Sequence, residues 1–158
     1  SRKRKMYFLK KKFTLCIGFE LIISEINYKS QKGVVMATLE LTAQNFETTI
    51  DNNKIVIIDF WAEWCGPCKR FAPIFEESSE KHTEVCFAKV NTEEQQELAG
   101  HFGIRSIPTI IIFREQIGIY QQTGALSPEA LDELLGQIKE LDMDSVRAEI
   151  KANQEKGE

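Results

Sequence analysis

Phe60-Trp61-Ala62-Glu63-Trp64-Cys65-Gly66-Pro67-Cys68-Lys69 sets two cysteines two residues apart, directly after an apolar run and at the opening of a predicted helix. A thiol at a helix start stands beside backbone N–H groups that lack an intrahelical partner and at the positive end of the helix dipole. Both favour its thiolate. Thiolate is the attacking form in thiol–disulfide exchange, and a nearby second thiol can attack the mixed disulfide that results. The pair is therefore read as a two-electron switch in which Cys65 attacks and Cys68 resolves. Pro67 falls in the first helical turn, where its missing N–H removes no hydrogen bond, and Gly66 is expected to let the backbone turn tightly.

Outward from this pair, strand and helix patterns alternate. Lys54 to Phe60 is apolar on both faces, as the centre of a covered parallel sheet must be. Before it, Met36 to Glu40 suits a first strand, and Thr42 is a good N-cap for a helix to about Ile50 with Phe46 inward, ended by Asp51-Asn52-Asn53. After it, a helix is predicted over 67–81, with a kink at Pro73, whose ring conflicts with the carbonyl of Lys69. Glu84 to Asn91 reads as a strand and Thr92 to His101 as an acidic helix capped by Thr92. Thr109 to Phe113 and Gly118 to Thr123 lie too close for a crossover and predict an antiparallel hairpin. Ser127-Pro128 starts a helix whose buried stripe is Leu131, Leu134, Leu135 and Ile138. This order, βαβαβαββα, implies an α/β fold with a mixed sheet covered by helices on both faces. In the polar tail 142–158, Met143, Val146 and Ile150 fall at helical spacing, and a frayed surface helix is expected.

The chain has 158 residues and is 42% hydrophobic, enough for one domain with a real core. Its formal net charge of −4 conceals an asymmetry. Residues 1–35 hold nine Lys or Arg against Glu20 and Glu25, a balance of +7, and the remaining eleven basic and twenty-two acidic side chains give −11. An acidic body argues against nucleic-acid binding, since phosphate repulsion would go unopposed. The basic residues 1–12 followed by the apolar run 13–23 superficially suggest a signal peptide. Glu20 interrupts the run, no small-residue cleavage site follows, and the run falls far short of the ~20 residues of a membrane span. Such a segment could lie on an anionic membrane surface. The reading preferred here is translation starting at Met36, with residues 1–35 non-native and at most loosely helical.

Cysteines at positions 16, 65, 68 and 86 do not make a disulfide scaffold, because only one pair has meaningful spacing. One redox pair and two single thiols suit a reducing compartment. A structural zinc site needs four ligands, and neither His82 nor His101 recurs at ligand spacing from another cysteine pair, so no metal is expected. Cys86, in an apolar run, reads as an inert buried thiol. Asp59 ends a buried strand, a costly place for a carboxylate without a partner or a raised pKa.

Trp64-Cys65-Gly66-Pro67-Cys68-Lys69 resembles the active site of the thioredoxin family. Asp59-Phe60-Trp61-Ala62, Ala72-Pro73, Gly103-Ile104-Arg105-Ser106-Ile107-Pro108-Thr109 and Thr123-Gly124-Ala125-Leu126 resemble thioredoxin segments in the same order, so the likeness spans a domain over residues 36–141. It implies the thioredoxin fold and a thiol–disulfide oxidoreductase that reduces disulfides in proteins. It further implies re-reduction by a flavoprotein thioredoxin reductase, no bound cofactor beyond the Cys65–Cys68 disulfide, a monomer and a cytoplasmic setting. By the same resemblance Asp59 is the proton-transfer group for Cys68, accompanied by Lys89, and Ile107-Pro108 is a cis bond that docks substrate as if adding a strand. Trp64, Gly66, Pro67, Gly124 and Ala125 would form the apolar rim, with Trp61 and Pro73 as structural support. Two departures from the family pattern are Ser106 and Gln116, each where glycine is common. A docking subunit with idle redox chemistry, or a membrane-attached or exported thiol protein, are the alternative functions.

Overall fold

The computed structural model describes residues 4–9 and 38–155. Met36, Cys16 and the apolar run 13–23 lie outside the described residues. The elements run β1 (Arg4–Leu9), β2 (Thr38–Glu40), α1 (Phe46–Asn52), β3 (Ile55–Trp61), α2 (Gly66–Lys81), β4 (Cys86–Asn91), α3 (Gln96–His101), β5 (Thr109–Arg114), β6 (Ile117–Thr123), α4 (Pro128–Glu140) and α5 (Met143–Glu155). One sheet has the order β1-β6-β5-β3-β4-β2. β3 lies between β4, which it pairs in parallel, and β5, which it pairs antiparallel. The mixed sheet and the β5–β6 hairpin agree with the sequence reading.

Alternation along β3 builds two cores. Ile55 and Ile57 face one side and pack with Phe71 and Phe75 of α2, Phe87 of β4 and Leu131, Leu135 and Ile138 of α4. Val56, Ile58 and Phe60 face the other side, with Phe46 and Ile50 of α1 and Leu98 of α3. Phe71, Phe75 and Phe87 meet in a chain of ring contacts at 5.7 and 5.0 Å between centroids. Burial of each ring contributes roughly 1.5–3 kcal/mol. Asp59 and Lys89 share the parity of Ile57 and Phe87, so both belong to the face that α2 covers.

Several boundaries differ from the sequence reading. Residues 4–9 pair antiparallel with β6 as an edge strand, instead of the loosely helical segment expected there. α1 begins at Phe46 because Asn45, not Thr42, makes the local bonds: its Oδ1 accepts the Thr42 N–H (2.8 Å) and its Nδ2 donates to the Glu40 carbonyl (3.0 Å). α3 begins at Gln96, since the Thr92 hydroxyl donates to the Trp61 carbonyl (3.1 Å) and so caps no helix. α2 spans Gly66–Lys81 with Pro73 inside it, as the sequence reading placed that residue. Ser127 accepts the Ala130 N–H, and Pro128 opens α4 as expected. The tail helix α5 is not a frayed surface element, because Met143 and Val146 are buried against the α2–α4 core. Buried Arg114 strengthens that junction: its Nη1 donates to the carbonyls of Ile138 and Leu141 where α4 ends, the first of which also accepts the Leu141 N–H.

Candidate active site

Cys65 is the N-cap of α2, and the Cys68 N–H donates to its Sγ (3.2 Å). Cys65 and Cys68 form a disulfide with Cα atoms 5.3 Å apart. An N–H and a helix start so placed favour a thiolate over a thiol at Cys65. Pro67 lies in the first turn of α2, as expected. Gly66 needs correcting: it is not among the residues with positive φ, and an added Cβ would meet nothing closer than Arg70 Nη1 at 3.8 Å. The lack of a side chain there leaves open surface beside Cys65 and is not required by a tight turn.

Facing the pair, the Ile107–Pro108 bond is cis, and the Ile107 carbonyl oxygen lies 3.8 Å from Cys65 Sγ. Thr109 fixes this loop by donating from its hydroxyl to the Ser106 carbonyl (2.6 Å). The Gly124 N–H donates to the Pro108 carbonyl (2.8 Å), and Gly124 has φ +101°, a conformation that a side chain would strain. Gly124 and the exposed Ala125 are thereby tied to the loop that faces Cys65. Trp64 is 70% exposed, the most open large apolar side chain of the described residues. It borders a groove of about 570 Å³ that also includes Gln96, Ile104, Arg105, Ser106 and Ile107. The structure thus brings Trp64, Ile107 and Ser106 to one groove beside the disulfide, with Gly66 and Pro67 exposed on α2 next to it.

Beneath α2, Asp59 is 1% exposed, and neither carboxylate oxygen has a hydrogen-bond partner. Burial pushes its pKa up from 3.8 to about 7, opposed by the weaker attraction of Lys89. Lys89 pairs in register with Asp59 across β3 and β4, while its Nζ lies 5.1 Å above the Trp61 ring and 3.8 Å from Glu76 Oε1. Trp61 is half-buried, and its carbonyl accepts both the N–H and the hydroxyl of Thr92. Pro73 is exposed within α2, five residues after Cys68. Cys86 is partly buried, and burial raises its thiol pKa, consistent with an unreactive group.

Two residues escaped the sequence reading. Glu93 accepts from Trp64 Nε1 (3.0 Å) and so fixes the indole at the edge of the groove. Glu76 engages Lys89. A register argument could have found the first, since pairing Trp61 with Asn91 carries the residues after β4 to the end of β3 where the disulfide lies.

The thioredoxin family model matches residues 37–137. A thioredoxin 2 candidate of Streptomyces coelicolor is 51% identical over 118 residues, 75% of this chain and 88% of its own. The thioredoxin of Alicyclobacillus acidocaldarius is 43% identical over 103 residues, 65% and 98% of the two chains. Among solved structures, Plasmodium falciparum thioredoxin superposes with a TM-score of 0.59 at 37% identity, covering 63% of this chain and 97% of its own. A mutant thioredoxin from Halobacterium salinarum NRC-1 gives 0.62 at 29% identity, covering 70% and 98%. With a cystine at the start of α2, a cis-proline loop facing it and a family match from β2 through most of α4, the chain belongs to the thioredoxin family and is a thiol–disulfide oxidoreductase.

Proposed function

We propose that this oxidoreductase works as a reductant of protein disulfides in the cytoplasm, as a monomer, and is returned to the dithiol by a flavoprotein reductase. The observation that carries the reading is the Cys65–Cys68 disulfide at the N-terminus of α2, opposite the Ile107 carbonyl and beside the open Trp64 groove. An extended substrate segment can pair with backbone at Ile107 and lay its side chains along Trp64, which selects for accessible chain more than for sequence.

In the reduced protein, the Cys65 thiolate attacks one sulfur of a substrate disulfide. The substrate S–S bond breaks, a Cys65–substrate disulfide forms, and one substrate thiolate leaves. Cys68 then loses its proton to Asp59 and attacks Cys65 Sγ, forming the Cys65–Cys68 bond and releasing the second substrate thiolate. Two electrons pass to the substrate, whose thiolates take up protons. Because Asp59 titrates near neutrality, it can accept a proton and release it without a large mismatch. The redox group is the cysteine pair itself, so the cycle needs no bound cofactor.

The test is insulin disulfide reduction followed by precipitation of the free chain, together with equilibration of the Cys65/Cys68 pair in thiol buffers. Wild type is expected to accelerate reduction and to have a potential more negative than the glutathione pool. Cys65→Ser should be inactive, and Cys68→Ser should accumulate a covalent adduct with substrate on non-reducing gels. A potential well above that of glutathione would replace reduction by disulfide formation or isomerisation.

A further inference from the structure

Asp59 and Lys89 stand opposite each other in register on the face covered by α2, and a lysine in that place has a ready partner in the carboxylate. It does not take it. Both Asp59 oxygens lack a hydrogen bond, and the Lys89 ammonium lies outward, over the Trp61 ring and toward Glu76. Glu76 sits on α2 eight residues after Cys68, a rise of about 12 Å, too far along the helix to meet the reacting sulfurs.

We propose that Glu76 is a positioning residue: with Trp61 it holds the Lys89 ammonium at the rim of the sheet and so leaves Asp59 without an ion-pair partner. Lysine has a flexible four-carbon stem, and its ammonium can swing between an outer and an inner position. The inner position would place an opposite charge beside Asp59 and hold the carboxyl ionised, making it a weaker base for the Cys68 proton. The outer position keeps Asp59 near neutrality, where proton transfer in both directions is matched.

The surroundings support this account. On the other flank of β3 the register partner of Asp59 is Ile110, which carries no charge. Of the titratable groups of α2, Cys68 is buried on this face, and Glu76, exposed, reaches it by its pairing with Lys89 of β4. Glu40 and Glu94 share with Lys89, Trp61 and Glu76 a hollow of about 290 Å³, but Glu94 accepts from Asn91 Nδ2 (3.2 Å), and Glu76 is the carboxylate paired with the ammonium.

The inference rests on Asp59 as the proton acceptor of Cys68 only for its effect on rate, and the experiment separates the two. The Asp59 side-chain carbon is followed by ¹³C NMR against pH in oxidised wild type, Glu76→Gln, Lys89→Met, the double variant and Glu94→Gln. Glu76→Gln should lower the Asp59 midpoint by about one pH unit by freeing Lys89 to turn inward. In the Lys89→Met background the same change should move it little, and Glu94→Gln should leave it in place. An unmoved midpoint in Glu76→Gln overturns the inference. An equal shift with and without Lys89 also overturns it, because Glu76 would then act by its own charge and not by holding the lysine. If the midpoint behaves as expected and Asp59→Asn leaves the pH profile of disulfide reduction unchanged, the placement of Lys89 stands and the proton-transfer reading of Asp59 falls.

Discussion

Asp59 makes the stability of this protein depend on pH with a sign that follows from its burial. Its pKa is 3.8 in an unfolded chain and about 7 in the fold. Between these values the unfolded chain gives up the proton and the folded one keeps it, so the folded state binds more protons and stability falls as pH rises. The contribution is fully present below the unfolded pKa and lost by the time pH passes the folded one. At about 1.4 kcal/mol per pH unit, that interval corresponds to roughly 4 kcal/mol. Asp59→Asn has no such titration. Relative to wild type, the variant should therefore gain a few kcal/mol between about pH 4 and about pH 8, up to that roughly 4 kcal/mol limit. Urea denaturation of the oxidised proteins at both pH values measures it, and any fixed cost of the amide cancels in the difference. A gap that does not change with pH would show that the folded carboxyl ionises like an exposed one. Under the proposed mechanism the same variant should reduce substrate disulfides more slowly, because Asp59 is the group proposed to take the Cys68 proton.

The β5–β6 hairpin turns through Glu115 and Gln116, with φ of +50° and +69°. Two positive φ values in a two-residue loop are the type I′ turn, whose backbone matches the twist of the strands it joins but strains side-chain-bearing residues. Gln116 is exposed, so Gln116→Gly should relieve strain and, after the added freedom of the unfolded chain, stabilise the fold by up to about 1 kcal/mol. Glu115→Gly should gain less, since Glu115 also pairs with Arg147 of α5. Denaturant midpoints of the two variants check this, and a larger gain at Glu115 would refute it. That turn also shows what was legible beforehand. Strand period, hairpin spacing and Ser127-Pro128 are local signals, and they placed β3, β5, β6 and α4 within a residue or two. The cysteine pair and the loop opposite it were legible from motif. The starts of α1 and α3 were not, because Asn45 bonds to Glu40 and Thr92 to Trp61, partners decided by how β2, β3 and β4 lie together. Glu93 and Glu76 were missed for the same reason: each acts on a residue brought near by register or packing.

At the scale of the molecule, the β5–β6 turn lies at the end of β3 away from the disulfide. The redox pair follows the last residue of β3, whereas the Glu115 N–H donates to the carbonyl of Lys54, just before its first. Seven strand residues lie between, about 23 Å. β1 adds to β6, with Lys5 opposite Tyr120 and Leu9 opposite Ile117, and a protein lacking residues 1–35 should lose hydrogen-exchange protection along β6 and keep it along β3. Unchanged protection along β6 would mean that its edge is covered without β1. α5 bears on the same distal region through Met143 and Val146 in the core and Arg147 at the hairpin turn. A chain ending at Leu141 would expose the seat of those two side chains, at a cost of roughly 3 kcal/mol or more. Its urea midpoint should therefore fall clearly. Its rate of disulfide reduction, measured well below that midpoint, should match the full chain, because no group of α5 reaches Cys65, Ile107 or Trp64 in any bond the structure records. Equal stability would deny the burial of Met143 and Val146. A slower rate in the still-folded protein would mean that motion of the hairpin end is felt at the disulfide, carried along β3 itself.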